Sequence, residues 1–304
     1  VERPFDLESL RLLVRVAATG SLSAVARESA VSQQAVSARM AALESRLGIA
    51  LLSRAPHGTR LTDAGALVAE WAMPLLDEAD RFSSVTRALR ATSGTSIRVA
   101  ASMTVAEHLA PRWLIALRTK NPAARIELIA ANSVNVAELI RTGAADVGFI
   151  ETPEIPDDLA HESFATDELV IVVGVDHPWV RRRSGVTVEE LAAVHLIARE
   201  RGSGTRLAYE RAMTNAGHPP VDPAIELSTT AAIRATVSSS QTPAVLSILA
   251  VRDQLADGTL AKVRLREVRI LRPLTAIWRR GNAPRSSAVD ELLAIVRSQT
   301  KEST

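Results

Sequence analysis

Near residue 91 the hydrophobic pattern changes period, and that change constrains the fold more than any other feature of the chain. Upstream, apolar residues recur at helical spacing. Downstream of "RATSGTS", nine short β-rich runs follow: "SIRVAAS", "RIELIAA", "DVGFIE", "ELVIVVGV", "HLIAR", "AIELS", "AVLSIL", "KVRLR" and "LTAIW". Between them lie helical stretches such as Val105–Arg118, Val188–Val194, Arg206–Ala216 and Ser287–Arg297. Strands alternating with helices predict an α/β region with a mostly parallel sheet, preceded by an all-α segment. At 304 residues with 47% apolar content, the chain can bury about two cores of ordinary size.

The helical segment divides into short pieces. Asp6 is placed to cap a first helix whose apolar positions are Leu7, Leu10, Val14 and Ala17, and Gly20 ends it. Ser23 can cap a second helix through Glu28, with Leu22 as a hydrophobic staple. Ser32 then caps a third, in "AVSQQAVSARMAALESRLG", where Val36, Met40, Leu43 and Leu47 step by four, three and four. Two helices joined by so short a turn form the helix-turn-helix pattern. "LLSRAPHGTRLTDAG" suits a small hairpin, and a long helix is predicted from Thr62 to about Arg90. Its stripe comprises Val68, Trp71, Leu75, Ala79, Phe82, Val85 and Leu89. A lone helix of that length has no core of its own, so the stripe must pack on a neighbouring domain or, more simply, on a second copy.

The outward face of the third helix carries Gln34, Ser37, Ala38 and Ala41, flanked by Gln33 and Arg39. Small side chains permit close approach to a major groove, where glutamine can pair with adenine N6 and N7. Ser32, Ser37 and the helix N-terminus can bond phosphate oxygens. Spacing alone leaves a second reading open, an ordinary core helix with an inert solvent face. Charge helps little: 36 basic against 34 acidic residues leave a net +2.

Other classes fit poorly. With no cysteine there are no disulfides or thiolate sites, and the six histidines lack HxH or HxxxH spacing. Neither GxGxxG nor GxxxxGK[ST] occurs, and no acid–base pair is legible, so no enzyme, metal or cofactor is expected. Aromatics at 3% argue against a base-stacking platform for single strands. The mixed-charge start and the lack of a 20-residue apolar run predict a soluble cytoplasmic protein without membrane partners.

The order "SLSAVARESAVSQQAVSARMAALESRLGIALLSRAPHGTRLTDAG" closely resembles the winged helix-turn-helix of LysR-type transcriptional regulators. Ser32-Gln33, Ser37, Leu43-Glu44, Leu47-Gly48, Leu51, Arg54, Arg60-Leu61-Thr62 and Ala64-Gly65 carry the match, which continues through the chain. The resemblance implies DNA contacts from Ser32, Gln33, Gln34, Ser37 and Arg39, with phosphate or minor-groove contacts from Arg54 and the wing at Gly58 to Arg60. It implies an α/β architecture with an N-terminal all-α winged helix-turn-helix (1–61), a dimerising linker helix (62–92) and a two-lobed, periplasmic-binding-protein-like effector domain (93–304). Lobe I is expected at about 93–164 and 268–304, lobe II at about 165–267. The chain would cross between them near Phe164–Asp167 and Glu267–Arg272. Double-stranded DNA, a small effector and further copies of the chain, as homodimer or homotetramer, are the implied partners. Two departures from the pattern are Ser29, where members usually carry a core leucine, and Leu52 in place of phenylalanine.

Between lobes, hydroxyls at strand-to-helix junctions suit a small anion. The candidates are Ser102 and Thr104, Asn132 and Ser133, Ser203 and Thr205 in "RGSGTR", and Thr229 in "LSTTAA". Plain N-capping is the competing explanation for each. The "GFIE" and "GSGTR" segments are similar to those of sulfur- and carbon-assimilation regulators, which implies sulfite, sulfate or a small carboxylated or phosphorylated metabolite. Glu151 is the exception, a carboxylate that a nearby arginine such as Arg199 or Arg206 could neutralise, or that could face the other way. Ser240 and Thr242 stand where relatives usually have glycine, which puts that edge of the cleft in question.

Overall fold

The computed structural model describes residues 5–28, 31–55, 58–90, 96–280 and 285–301. The chain divides into two compact units, Val1–Arg87 and Ala88–Thr304.

In the first unit, α1 (Leu7–Thr19), α2 (Leu22–Glu28) and α3 (Gln33–Leu47) precede a hairpin of β1 (Leu52–Ala55) and β2 (Gly58–Leu61), then α4 (Asp63–Arg90). Asp6 caps α1 by accepting from Ser9 N–H at 2.9 Å, and Gly20 ends it in the left-handed region. The buried face of α1 is Leu10, Leu12, Leu13 and Val16, while Leu7 and Ala17 are exposed. "LRLLVRV" offers two overlapping helical stripes, and packing against α2 and α3 selects the one that periodicity alone did not. Ser21, not Ser23, caps α2, accepting from Ala24 N–H at 3.3 Å. On α3, Val36, Met40 and Leu43 are buried and Leu47 is half-buried. They join Val25, Leu51, Ala69, Ala72 and Leu76 in one core, each large side chain contributing about 1.5–3 kcal/mol. Leu52 packs against this core from a half-buried position, whereas Ser29 lies outside the described residues.

Glu44, in the last turn of α3, accepts from Leu51 and Leu52 N–H at 2.7 and 2.9 Å, tying the hairpin to the helix. Thr62 caps α4 through Gly65 N–H and donates to Ala50 carbonyl at 2.7 Å. The expected stripe on α4 is divided. Val68 faces its own core, with Ala69, Ala72 and Leu76, whereas Trp71, Leu75 and Phe82 are exposed.

The second unit holds a nine-stranded mixed sheet in the order β4-β3-β5-β11-β6-β9-β7-β8, with β10 pairing β6. Lobe I contains β3 (Ser96–Ser102), α5 (Met103–His108), α6 (Ala110–Lys120), β4 (Arg125–Ala131), α7 (Ser133–Arg141) and β5 (Val147–Ile150). The long β6 (Leu159–Gly174) then enters lobe II, made of α8 (Val188–Ala192), β7 (Ile197–Arg199), α9 (Gly204–Asn215), β8 (Ile225–Leu227), α10 (Thr230–Ser238), β9 (Ala244–Ser247), α11 (Ile248–Ala256) and β10 (Leu260–Val263). β11 (Ile270–Arg279) returns to lobe I, where α12 (Ser287–Lys301) packs.

Pairing is parallel within each lobe (β3 with β4 and β5, β7 with β8 and β9) and antiparallel where β6 and β11 run between them. Both crossing strands are longer than their apolar runs, because polar segments such as "AHESFATD" are held by the ladder rather than by burial. Register shifts at Leu274/Thr275, leaving Phe164 as the extra residue on β6. That bulge turns Phe164 toward Trp113 and Phe149, with ring centroids 5.5 and 5.9 Å away. The single helix expected over Val105–Arg118 breaks at Leu109, where Pro111 starts a new one.

Candidate functional site

On the first unit, Ser32 accepts from Ala35 N–H at 3.1 Å as the N-cap of α3, so its hydroxyl is partly committed to the helix. Gln33, Gln34, Ser37 and Arg39 are all exposed, with Gln33 and Arg39 on opposite flanks of the buried stripe. Gln33 is tethered by Ser23, whose hydroxyl donates to Gln33 Oε1 at 2.9 Å, and Arg39 lies 3.9 Å from Glu8 on α1. Arg60 is exposed on β2, opposite Ser53. Gly58 opens β2, and the side chain of Arg54 lies outside the described residues.

In the second unit the candidate residues separate by what their hydroxyls do. Asn132 caps α7 through Asn135 N–H, and exposed Thr229 caps α10 through Ala232 N–H. Capping accounts for both. Ser102 and Ser203 occupy N-cap positions without a side-chain cap bond, and both are buried with no hydrogen-bond partner among the described residues. Ser133 Oγ accepts from Glu151 N–H at 3.4 Å.

Thr104 and Thr205 meet at a residue that sequence reasoning placed only at a strand crossing. Arg272, on β11, is fully buried. Its Nε donates to Asp167 at 2.8 Å, Nη1 to Thr205 Oγ1 at 2.8 Å, and Nη2 to Thr104 Oγ1 at 3.2 Å. Nη2 is also 3.2 Å from Glu151 Oε2, an ion pair without hydrogen-bond alignment. Ser247 donates to the other Asp167 oxygen at 2.9 Å. One guanidinium thus joins both crossing strands to a helix of each lobe. Arg272 was visible in "ILRPLTAIW" as a cation inside an apolar strand, the one signal that could have singled it out.

Glu151 is therefore paired with Arg272, and the Arg199 charge also acts on it, more weakly. Arg199 pairs with Glu200 at 2.8 Å, and Arg206 with Glu210 and Glu226. Burial pushes the Glu151 carboxyl above the ordinary range, and the Arg272 charge pulls it back only in part. Gly204 lets α9 approach this cluster: a Cβ there would lie 2.1 Å from the Glu151 carbonyl oxygen. Gly202, at φ +88°, turns the chain into that helix, and Val134 N–H bonds its carbonyl at 3.4 Å across the lobes. Beside it a cavity of about 550 Å³ opens between lobes, lined by Ser133, Val134, Arg141, Thr152, Arg201 and Ser203 among others. At Ser240 and Thr242 the backbone has no positive φ, so glycine is not required there. Among the described residues no group of three His, Asp or Glu side chains could hold a metal, and no helix is long and apolar enough to cross a membrane.

A winged helix-turn-helix unit and a two-lobed α/β unit with a cleft together define a class of bipartite, effector-responsive regulator. The comparisons agree. Residues 7–66 match the model of the bacterial regulatory helix-turn-helix protein, lysR family, and residues 90–301 match the LysR substrate binding domain. The chain belongs to the LysR family of transcriptional regulators: it is a DNA-binding regulator with an effector-binding domain, not an enzyme. An uncharacterized HTH-type transcriptional regulator of Mycobacterium tuberculosis is 38% identical over 302 residues, covering 97% of each chain. The regulator YeiE of Escherichia coli is 33% identical over 275 residues, covering 90% of this chain and 91% of its own. The fold of the second unit is shared with the regulatory domain of Synechocystis CcmR in complex with 2-PG, at a TM-score of 0.61 and 24% identity over 68% of this chain and 98% of that one.

The burial of Glu151 has a measurable sign. A carboxyl whose folded pKa is raised binds its proton more tightly in the folded chain, so its stabilising contribution is complete below the ordinary value of 4.5 and lost as pH rises through the raised value. Glu151→Gln removes that slope. In thermal unfolding of the full chain, the melting temperature of the variant relative to wild type should rise with pH above 4.5. Parallel curves would show that Glu151 titrates normally.

Proposed function

We propose that α3 enters the DNA major groove, where Gln33, Gln34 and Ser37 face base edges while Ser32, Arg39, Arg54 and the wing from Gly58 to Arg60 hold the phosphates or the adjoining minor groove. The reading rests on an exposed face of polar and small side chains on α3, backed by the buried Val36, Met40 and Leu43. A second copy covers Trp71, Leu75 and Phe82 on α4, and pairs of such dimers form the tetramer that spans two half-sites in the cytoplasm. The functional divisions are then the head at 1–61, the linker at 62–92 and the effector domain at 93–304.

The effector is a small anion held between the lobes. The observation that carries this reading is the pair of buried, unpartnered hydroxyls, Ser102 and Ser203, at helix starts on opposite lobes. α9 begins at Ser203 and its 12 residues direct the positive end of their dipole there. Thr104, Thr205 and Ser133 complete the polar wall. Burial pushes the Glu151 carboxyl above the ordinary range and Arg272 faces it at 3.2 Å, both of which reduce its repulsion of an anion. Asn132 and Thr229 serve as caps and contribute no direct contact. Sulfite, sulfate or a small carboxylated or phosphorylated metabolite has suitable chemistry. Binding that favours one arrangement of the lobes alters how dimers pair, and hence how the DNA-binding heads are spaced.

Two measurements test this reading. In gel shifts with the upstream intergenic DNA across a salt series, Gln34→Ala should reduce sequence discrimination by about tenfold, while Arg60→Ala should weaken binding to all sequences alike and flatten the salt slope by about one unit. Equal effects of both variants on every sequence would refute the assignment. In calorimetric titration of the full chain with sulfite, sulfate, phosphate and small carboxylates, at least one anion should bind. Ser203→Ala should weaken it about tenfold, for the loss of roughly 1.5 kcal/mol in one charged hydrogen bond. Heat from none of these anions would dismiss the site.

A further inference from the structure

The recognition face has one asymmetry between its two glutamines. Gln34 has no side-chain hydrogen bond among the described residues, while the Gln33 carbonyl oxygen accepts from Ser23 Oγ at 2.9 Å. Ser23 is exposed on α2, and because Ser21 does the capping there, the Ser23 hydroxyl is free for this contact. A surface hydrogen bond of this kind adds little to stability, so its consequence is orientation. In a planar amide the oxygen and nitrogen diverge. With Oε1 drawn back toward α2, the Nε2 group faces away from it.

We infer that Ser23 is a specificity-determining positioning residue, which fixes the direction of the Gln33 amide so that its N–H donors face a hydrogen-bond acceptor edge in the major groove. The inference rests on the reading of α3 as the recognition helix. The bidentate pairing of glutamine with adenine needs both amide groups, the oxygen accepting from N6 and the nitrogen donating to N7. Gln34 retains both. The Gln33 oxygen keeps a second lone pair but is held toward α2, so the N–H donors are the groups turned away from α2, and they suit guanine, with acceptors at O6 and N7, or thymine, with its O4. Adenine is disfavoured for it, because the bidentate pair needs the oxygen turned to N6 and the Ser23 bond holds that oxygen toward α2.

The test is selection of binding sites from randomised duplex DNA by the full chain, comparing wild type with Gln33→Ala, Ser23→Ala, Ser23→Thr and Gln33→Arg. Gln33→Ala should relax preference at one position of the half-site, where wild type selects guanine or thymine. Ser23→Ala should relax that same position, moving a preference of about tenfold over adenine toward parity. Ser23→Thr keeps the hydroxyl and the preference, and Gln33→Arg, a donor-only side chain, keeps a preference for guanine. Thermal melting of Ser23→Ala should match wild type, which separates orientation from stability. A Ser23→Ala profile identical to wild type, with Gln33→Ala relaxed, overturns the inference and leaves the recognition helix standing. Adenine at the position read by Gln33 also overturns it. No change at any position in Gln33→Ala overturns the reading of Gln33 and this inference together.

Discussion

The most deeply buried of the arginines in the effector domain, Arg272, organises it. Arg272 has no solvent exposure, and its guanidinium is shared among Asp167, Glu151, Thr104 and Thr205. Leaving water costs such a group several kcal/mol, which only well-aligned partners can offset. Those partners come from α5 of lobe I, from α9 of lobe II and from β6 between them, so the compensation exists only while the lobes keep this arrangement. The geometry of the cleft is therefore set at the guanidinium and not at the cavity wall.

From that centre the chemistry of the candidate site follows. Two carboxylates face one guanidinium. Asp167 takes the aligned bonds, with Ser247 on its other oxygen, and Glu151 is left with an ion pair that lacks hydrogen-bond alignment. Desolvation then favours the neutral form of Glu151. Around this cluster Ser102 and Ser203 hold hydroxyls that cap nothing. Buried polar atoms without partners are uncommon in folded proteins, and here they sit at the strand-to-helix junctions flanking the same ion cluster. The two units share a logic. Ser23 at Gln33 and Arg272 at Thr104 and Thr205 each fix the direction of a polar side chain.

Much of this was legible in the sequence where local chemistry decides the outcome. The buried residues Val36, Met40 and Leu43 of α3, its cap at Ser32, and the nine β-rich runs all follow from period and capping. Where tertiary contacts decide, the sequence was ambiguous. The face of α1 was placed only in part, with Leu10 and Val14 on the core but Leu7 and Ala17 exposed, because two stripes overlap in "LRLLVRV". The lengths of β6 and β11 were underestimated because their polar halves are stabilised by each other. At the candidate site, N-capping and ligand-facing hydroxyls look alike in sequence. Only the bonding pattern separates Thr229, which caps, from Ser203, which does not. Arg199 and Arg206 were the candidates to neutralise Glu151; both bond to local glutamates, and of the two Arg199 still adds a weaker favourable charge at Glu151 behind Arg272.

The central claim is that the Arg272–Asp167 pair holds the two lobes in one cooperative unit. A double-mutant cycle on the full chain, with Arg272→Met, Asp167→Leu and the combined variant unfolded in urea, tests it most directly. Each single change strands a buried charge and should cost about 3–5 kcal/mol, whereas the double change removes both charges and should cost well below the sum. Strictly additive losses, or single losses under about 1 kcal/mol, would contradict the account.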